Sequence, residues 1–330
     1  MRRALIIYRD RSSVWSGTER VMGYLVRVLK ELNHQVTLAT FDGAWNNGFP
    51  GPKPDRVISS IGPNRFIKGI SLLIYERLER FLENYDVVID AAYNDLRGNP
   101  HMGYVHYPYC ASRLKALFPT RANVIAANSS WTLAKLRQCG SGGIIIHPPV
   151  EPIKCSNQVK EDLVIGIGRL GKPWEEFIEV AKVVKAKVPG VNFTIIGHSD
   201  SGDRVKQLLW LSNGIVNVIP NAPEDVKANL LCRAKAILHT HPAEHFGIAI
   251  VEAMSTGAVP IVHKDGGAWL DIVERGKYGF GYSSINDAAE AVITALNVSN
   301  DYRLTIMSKA REYDYEGFKD KVINALKPYL

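Results

Sequence analysis

Short apolar runs recur along the chain, separated by stretches in which apolar positions return every three or four residues. The runs fall at 4–8, 35–40, 57–61, 86–91, 103–106, 124–128 and 143–147, then at 163–168, 192–196, 216–219, 236–240 and 258–262. Val, Ile and Ala dominate them with little alternation, as strands covered on both faces require. The intervening stretches read as helices. In 19–32, Val21, Leu25, Val28 and Leu32 form one stripe, and 174–187 and 287–296 are further helices. Strand alternating with helix predicts a parallel α/β sheet. Pro148, Pro149 and Pro152 break the pattern, polar residues follow to Asp162, and a second series then begins. Two doubly wound domains joined near residue 150 are predicted. Their ligand is expected beyond the C-terminal ends of the strands, in a cleft between the domains.

One helix departs from the rest. In 66–83, Ile67, Ile70, Ile74, Leu78 and Phe81 recur at helical spacing, flanked by Arg65, Lys68, Arg77 and Arg80. Such a helix either lies on a membrane surface or turns its stripe into the core of the first domain. The second is the commoner arrangement and is the expectation here.

The 330 residues are 46% apolar and 22% charged, ordinary for a globular protein, and no apolar run reaches the length of a membrane span. The N-terminal apolar run has five residues, too short for a signal peptide, so the chain is expected inside the cell. Asn128, Asn192 and Asn297 in Asn-x-Ser/Thr sites then carry little meaning. Cys110, Cys139, Cys155 and Cys232 show no CxxC spacing, which excludes a zinc ribbon or thioredoxin-type site. Buried thiols are expected, and a disulfide scaffold is not. Net charge is +7, unevenly spread: residues 1–150 hold 19 Lys/Arg against 11 Asp/Glu, and 151–330 hold 21 against 22. The basic half is expected to meet something anionic, unless its charges only solvate a surface. No RNP motif, zinc finger or interleaved basic-aromatic run points to nucleic acid.

Gly166-Ile-Gly168-Arg-Leu-Gly171 is a GxGxxG between a strand and a helix. It invites a dinucleotide reading and an NAD-dependent oxidoreductase. The loop is cationic, however, and the next strand ends Gly197-His198 with no acidic residue for a ribose. The expectation is that the glycine-rich turn and helix N-terminus approach phosphate, with Arg169 and Lys172 neutralising a diphosphate. Either cation could instead be an ordinary surface charge.

The most informative segment is Glu244-His-Phe-Gly-Ile-Ala-Ile-Val-Glu252, after the strand 236–240. Gly247 permits close approach of a ligand, and amides of 247–249 would open a helix whose dipole favours an anion. Glu252 lies in that helix amid Ile250, Val251, Ala253 and Met254, where a carboxylate needs partners. The two hydroxyls of a ribose would serve; a core cation is the plainer alternative. Glu244 could take hydroxyls of a second sugar. His239, His241, Glu244 and His245 could conceivably ligate a metal, but catalytic spacing such as HExxH is missing, and packed histidines are expected.

Glu-x7-Glu with Phe-Gly inside, followed by Ala253-Met254 and Gly257, resembles the nucleotide-sugar signature of glycosyltransferase family 4. So do Gly168-Arg169-Leu170 ahead of a lysine, and Gly17-Thr18-Glu19 after the first strand. The likeness runs from Gly17 to about Asp271. Tyr104-Val-His106-Tyr-Pro108, Asn128-Ser-Ser-Trp-Thr132, Pro148-Pro149, His245-Phe-Gly-Ile and the run from Gly266 to Val273 are similar to one branch. Its members are α-1,2-mannosyltransferases that extend dolichol-linked oligosaccharide in N-glycan assembly for protein glycosylation.

The resemblance implies an α/β fold of GT-B type, two Rossmann-like doubly wound domains facing across a cleft. Residues 1–150 would be the acceptor-side domain, 151–313 the nucleotide-sugar domain, and 314–330 a helix crossing back. It implies retaining, metal-independent transfer of a hexose, mannose first, from a nucleoside-diphosphate sugar such as GDP-mannose. No cofactor is implied. The departing phosphate would help to deprotonate the acceptor hydroxyl. Residue by residue, Glu252 would bind ribose; Glu244 and the amides from Phe246 to Ile248, across Gly247, would hold the donor sugar. Arg169 and Lys172 would hold the diphosphate, Gly17 would lie against it, His106 would stand beside the reacting sugar, and Pro220–Glu224 would border the base. The acceptor would be a polyprenyl-linked or other glycan, with the enzyme peripheral on an anionic cytoplasmic membrane face. Two departures are visible: only two residues separate Arg169 from Lys172, and Gly17-Thr18 replaces a double glycine. A non-catalytic sugar-nucleotide-binding protein would carry the same residues.

Overall fold

The computed structural model describes residues 2–11, 17–45, 49, 51–92, 98–108, 122–156, 159–199 and 201–330. Cys110 lies outside them. The chain divides into two compact units, residues 1–149 with 315–330, and residues 150–314.

The first unit carries a seven-stranded parallel sheet in the order β3-β2-β1-β4-β5-β6-β7. Its strands are β1 (Arg3–Tyr8), β2 (Gln35–Thr40), β3 (Arg56–Ser59), β4 (Val87–Asp90), β5 (Met102–Val105), β6 (Val124–Ala127) and β7 (Ile144–Ile145). Its helices are α1 (Gly17–Glu31), α2 (Arg65–Phe81), α3 (Ser130–Gln138) and, from the chain's end, α10 (Tyr315–Leu326). β1 is fully covered after its first residue, which accounts for its unbroken apolar run. α10 joins this core through Tyr315, Phe318 and Val322, with the Tyr315 ring 5.7 Å from Tyr24 of α1.

The second unit carries a six-stranded parallel sheet in the order β10-β9-β8-β11-β12-β13. These are β8 (Glu161–Ile167), β9 (Asn192–Gly197), β10 (Val216–Pro220), β11 (Ala234–His239), β12 (Val259–His263) and β13 (Phe280–Tyr282). The helices are α4 (Glu175–Lys187), α5 (Gly202–Ser212), α6 (Glu224–Arg233), α7 (Ile248–Ser255), α8 (Ile285–Leu296) and α9 (Asn300–Ala310). All twelve anticipated strands are present, with ends shifted by a residue or two. The three-residue β13 is too short to stand out as an apolar run.

Two expectations are overturned. Cys155 and Cys232 are joined by a disulfide, with Cα atoms 5.6 Å apart, and no described cysteine is free. The linker lies along the second unit: Ile153 packs beside Leu231 and Ala253, and its N–H donates to Ser255 Oγ at 3.0 Å. That path carries Cys155 to the end of α6, a proximity invisible at a separation of 77 residues.

The second concerns α2. Its stripe faces solvent: Ile67, Ile74, Leu78 and Phe81 are exposed, and the buried positions are Gly69, Leu72, Leu73 and Glu76. An ionic anchor decides the orientation. Glu76 Oε2 accepts from Arg9 Nη2 at 3.0 Å, its Oε1 accepts from the Asn99 N–H, and Arg9 also pairs with Asp90. Burial raises the Glu76 carboxyl above its usual range, with Arg9 opposing that shift. Rotating the helix to bury the stripe would break this network and leave buried charges unpaired.

Candidate active site

The Glu244–Glu252 segment crosses from the end of β11 into α7, as its glycine suggests. Gly247 occupies the position before the helix at φ +106°, and a Cβ there would lie 2.6 Å from Ile250 Cδ1. Glycine is therefore favoured by its positive φ, with the end of the Ile250 side chain having to shift for any Cβ. α7 has no acidic residue in its first turn. Among the described residues no hydrogen bond takes the amides of Gly247, Ile248 or Ala249, as at any open helix start.

Glu244 is shaped by three contacts. Ala243 before it adopts φ +53°, a conformation costing about 1–2 kcal/mol in a non-glycine residue. Gly267 N–H donates to the Glu244 carbonyl at 2.7 Å, and a Cβ on Gly266 would strike that oxygen at 2.4 Å. The side chain turns back to β11, where His239 Nε2 donates to Glu244 Oε2 at 3.1 Å. Burial works against ionisation, but the His239 bond and charge, with Lys172 and His245, outweigh it. The carboxyl is held well below the usual carboxylate range.

Around this carboxylate the histidines are not a ligand set. His239 serves Glu244, and the His241 ring stands 5.5 Å from the Trp174 ring. Among the described residues no group of three or more His, Cys, Asp or Glu is placed to hold a metal. Burial, with Lys172 and His239 nearby, pushes His241 down to about 3, so it is neutral at physiological pH. His239 Nδ1, Thr240 Oγ1 and His241 Nε2 are buried without a hydrogen-bond partner. Three such atoms at one strand end are costly unless something polar binds there.

The glycine-rich loop after β8 is only partly taken up by packing. A Cβ on Gly166 would lie 2.6 Å from the Trp174 ring, and one on Gly197 of β9 would lie 1.8 Å from the Gly168 carbonyl oxygen, whereas Gly171 has nothing within 4 Å. Three of its amides are spent, Gly168 N–H on Ile196 O, Leu170 N–H on His198 O and Lys172 N–H on Arg169 O. α4 begins with Glu175 and Glu176, so its N-terminus already has anions. A phosphate here would meet the two side chains and the amides of Arg169 and Gly171, which no backbone carbonyl takes among the described residues. The 3.1 Å bond from Lys172 N–H to Arg169 O closes one tight turn, which sets both cations on a single bend despite their short spacing. Arg169 is exposed and Lys172 half-buried, with its charge felt at Glu244, His241 and His245. Arg204 of α5 staples this turn, donating to Leu170 O at 3.1 Å and Lys172 O at 2.9 Å. Nothing in the local sequence signals that contact.

Glu252 is 5% exposed and faces α6, where Lys227 Nζ stands 3.5 Å from its Oε2. The plainer alternative of a cation partner is therefore met in part. Lys227 sits closer to Glu224, at 2.7 Å. This places the ribose candidate next to the helix that begins just after Pro220, itself exposed at the end of β10.

The remaining candidates belong to the first unit. Gly17 opens α1 and is exposed. Beside it, Tyr8 O–H donates to Glu19 Oε1 at 2.5 Å and Thr18 O–H to Glu19 Oε2 at 3.0 Å. His106, just past β5, is buried. Its Nε2 lies 2.9 Å from Ala91 O and must therefore carry the proton, while Asn128 Nδ2 donates to its carbonyl at 2.8 Å.

Two family patterns cover most of the chain. The pattern described as Glycosyltransferase Family 4 matches residues 15–152, and that described as Glycosyl transferases group 1 matches 152–313. The chain belongs to family 4 of the glycosyltransferases, a family of retaining, metal-independent hexosyltransferases. Among named relatives it is similar to GDP-Man:Man(3)GlcNAc(2)-PP-Dol alpha-1,2-mannosyltransferase of Homo sapiens. Identity is 30% over 243 residues, covering 64% of this chain and 49% of that protein. The chain thus spans about half the length of that relative. Among solved structures, sucrose-phosphate synthase from Thermosynechococcus elongatus superposes with a TM-score of 0.73 at 15% identity, over 99% of both chains. Anabaena HepE in complex with UDP does so at 0.71 and 18%, over 99% of this chain and all of the other. These likenesses establish the GT-B fold, as the two parallel sheets do.

Proposed function

We propose that this protein transfers a hexose, with retention, from a nucleoside-diphosphate sugar to a glycan acceptor. The observation that carries the reading is the Glu244–Glu252 segment. It holds one carboxylate ionised beside Lys172, another against Lys227, and the open amides of α7 between them. In this reading Glu252 binds the ribose, each charge-assisted bond contributing about 1.5–3 kcal/mol. Arg169, Lys172 and the α7 amides stabilise the diphosphate as it departs, and Glu244 holds the sugar hydroxyls. Pro220 borders the base. Gly17 and His106, on the other unit, serve the phosphates and the reacting sugar.

The donor is GDP-mannose and the acceptor a polyprenyl-linked glycan, by similarity to the mannosyltransferase branch. The enzyme works as a peripheral protein at a cytoplasmic membrane face. The protein needs no metal in this reading, because fixed cations and a helix start carry the charge of the departing diphosphate. An NAD-dependent oxidoreductase is disfavoured because the loop is cationic and β9 ends at Gly197, with His198 next and no acidic residue at that point for a ribose.

A thermal-shift panel of GDP, UDP, ADP and dTDP sugars with NAD tests this. A shift with one sugar nucleotide, lost in Glu252→Ala, is expected. A shift with NAD that GDP does not compete, or no loss in the variant, would overturn it. Donor that binds but is never transferred to any glycolipid would leave a binding protein.

A further inference from the structure

We infer that His241 reads a hydroxyl of the transferred hexose through its Nε2, and so helps to set which sugar the donor carries. The inference deepens the proposed transfer from a nucleoside-diphosphate sugar and rests on that reading. Three polar atoms at the end of β11 are buried without a hydrogen-bond partner: His239 Nδ1, Thr240 Oγ1 and His241 Nε2. His239 and His241 stand two residues apart, and their ring centroids are 5.3 Å from each other. His239 is already committed to Glu244 through its other nitrogen. His241 Nε2 serves nothing within the protein, and burying it unpaired is costly.

The surroundings of that nitrogen limit what can reach it. It lies where β8 and β11 run side by side, the switch point of the sheet. A Cβ on Gly168 would stand 3.8 Å from Nε2, so glycine there adds no side chain to the approach. Trp174 seats the imidazole, with its ring 5.5 Å away in an edge-on contact. The same indole donates from Nε1 to Arg169 O at 3.2 Å, which ties the seat of His241 to the cationic turn. Lys172 and Glu244 both act electrostatically on the ring. His241 is thus within reach of the cation assigned to the diphosphate and of the carboxylate assigned to the sugar.

Chemistry selects the occupant. Burial and Lys172 keep the imidazole uncharged at physiological pH. An uncharged ring adds no Coulombic attraction for phosphate, which Arg169 and Lys172 supply. A hydroxyl suits Nε2 in either tautomer, because it both donates and accepts. The ribose hydroxyls belong with Glu252, which faces Lys227 on α6. The hexose supplies the remaining hydroxyls. A sugar lacking the right one would leave the buried nitrogen unpaired again, and this is how a polar subsite rejects a deoxy analogue.

The test measures dissociation constants for GDP-mannose, UDP-glucose, ADP-glucose and dTDP-glucose, and for each parent nucleoside diphosphate. His241→Phe keeps a flat ring beside Trp174 and removes both nitrogens. It should weaken the sugar nucleotide that wild type prefers roughly 10–100-fold and leave its parent diphosphate within about twofold. His241→Gln, which can hydrogen-bond again, should recover much of the loss. One monodeoxy analogue of that donor should bind wild type roughly 10–100-fold more weakly than the donor, yet bind His241→Phe as well as the donor does. Equal loss of sugar nucleotide and bare diphosphate would assign His241 to phosphate. Unchanged donor binding would leave Nε2 to solvent. A lowered melting temperature without rescue by His241→Gln would make the ring a packing element. Each of these three overturns the inference and leaves the transferase reading standing. Wild type that binds none of the four sugar nucleotides ends both.

Discussion

Removing the imidazole at position 239 isolates one bond of the site. His239 Nε2 donates to Glu244 Oε2 at 3.1 Å, and the ring is almost wholly buried. A hydrogen bond to a charged group contributes about 1.5–3 kcal/mol. In His239→Ala the burial of Glu244 remains while its principal compensation goes. At 1.36 kcal/mol per tenfold, kcat/KM for donor should fall roughly 10–150-fold. The same energy read on the proton should carry the Glu244 carboxyl up by about one to two pH units. The sign follows from the direction of the native shift. Glu244 is depressed in the folded protein, so its contribution is complete above the ordinary carboxylate range and lost as pH falls through the lower folded value. Wild type should therefore keep its acid limb of kcat/KM low, and His239→Ala should move that limb upward. His239→Gln, which can still donate, should restore much of the loss. Glu244→Gln combined with His239→Ala should cost little more than Glu244→Gln alone, because the two act through one carboxylate. The assay is initial rate against pH and donor concentration, with melting temperature measured beside it. A rate within threefold of wild type and an unmoved acid limb would refute the positioning role.

Arg169→Ala should lower turnover by roughly 10²–10³, as loss of a transition-state electrostatic partner does, with little change in melting temperature since the side chain is exposed. Single-turnover rates check it, and a change under threefold removes Arg169 from the diphosphate. Arg9→Ala should destabilise by about 3–5 kcal/mol, because Glu76 and Asp90 would be left buried without their cation. Urea unfolding reads this directly, and a loss below 1 kcal/mol would contradict the anchoring of α2. Cys155→Ser should cost up to about 4.5 kcal/mol by the chain-entropy relation for a 77-residue separation. Equal unfolding midpoints for wild type and variant under oxidising conditions would show that the bond is not formed in solution.

Periodicity was sufficient for twelve of the thirteen strands, because most of them are buried on both faces and such a run reads locally. The Glu244–Glu252 segment was legible for the same reason: glycine, helix start and second carboxylate fall within nine consecutive residues. Contacts across long separations were not. His239 read as a metal candidate or a packed ring until the turn at Ala243 brought Glu244 back onto it. Arg204 reaches the Arg169–Lys172 turn from 32 to 34 residues away. Of the GxGxxG glycines, Gly166 proved to be room for Trp174, a contact eight residues on that the motif does not announce. α2 shows the division most plainly. The chain's own pattern determined that 66–83 is helical and carries an apolar stripe. Which side turns inward was decided by a carboxylate finding its guanidinium 67 residues away, since a buried charge without its partner costs more than a row of apolar side chains left in water.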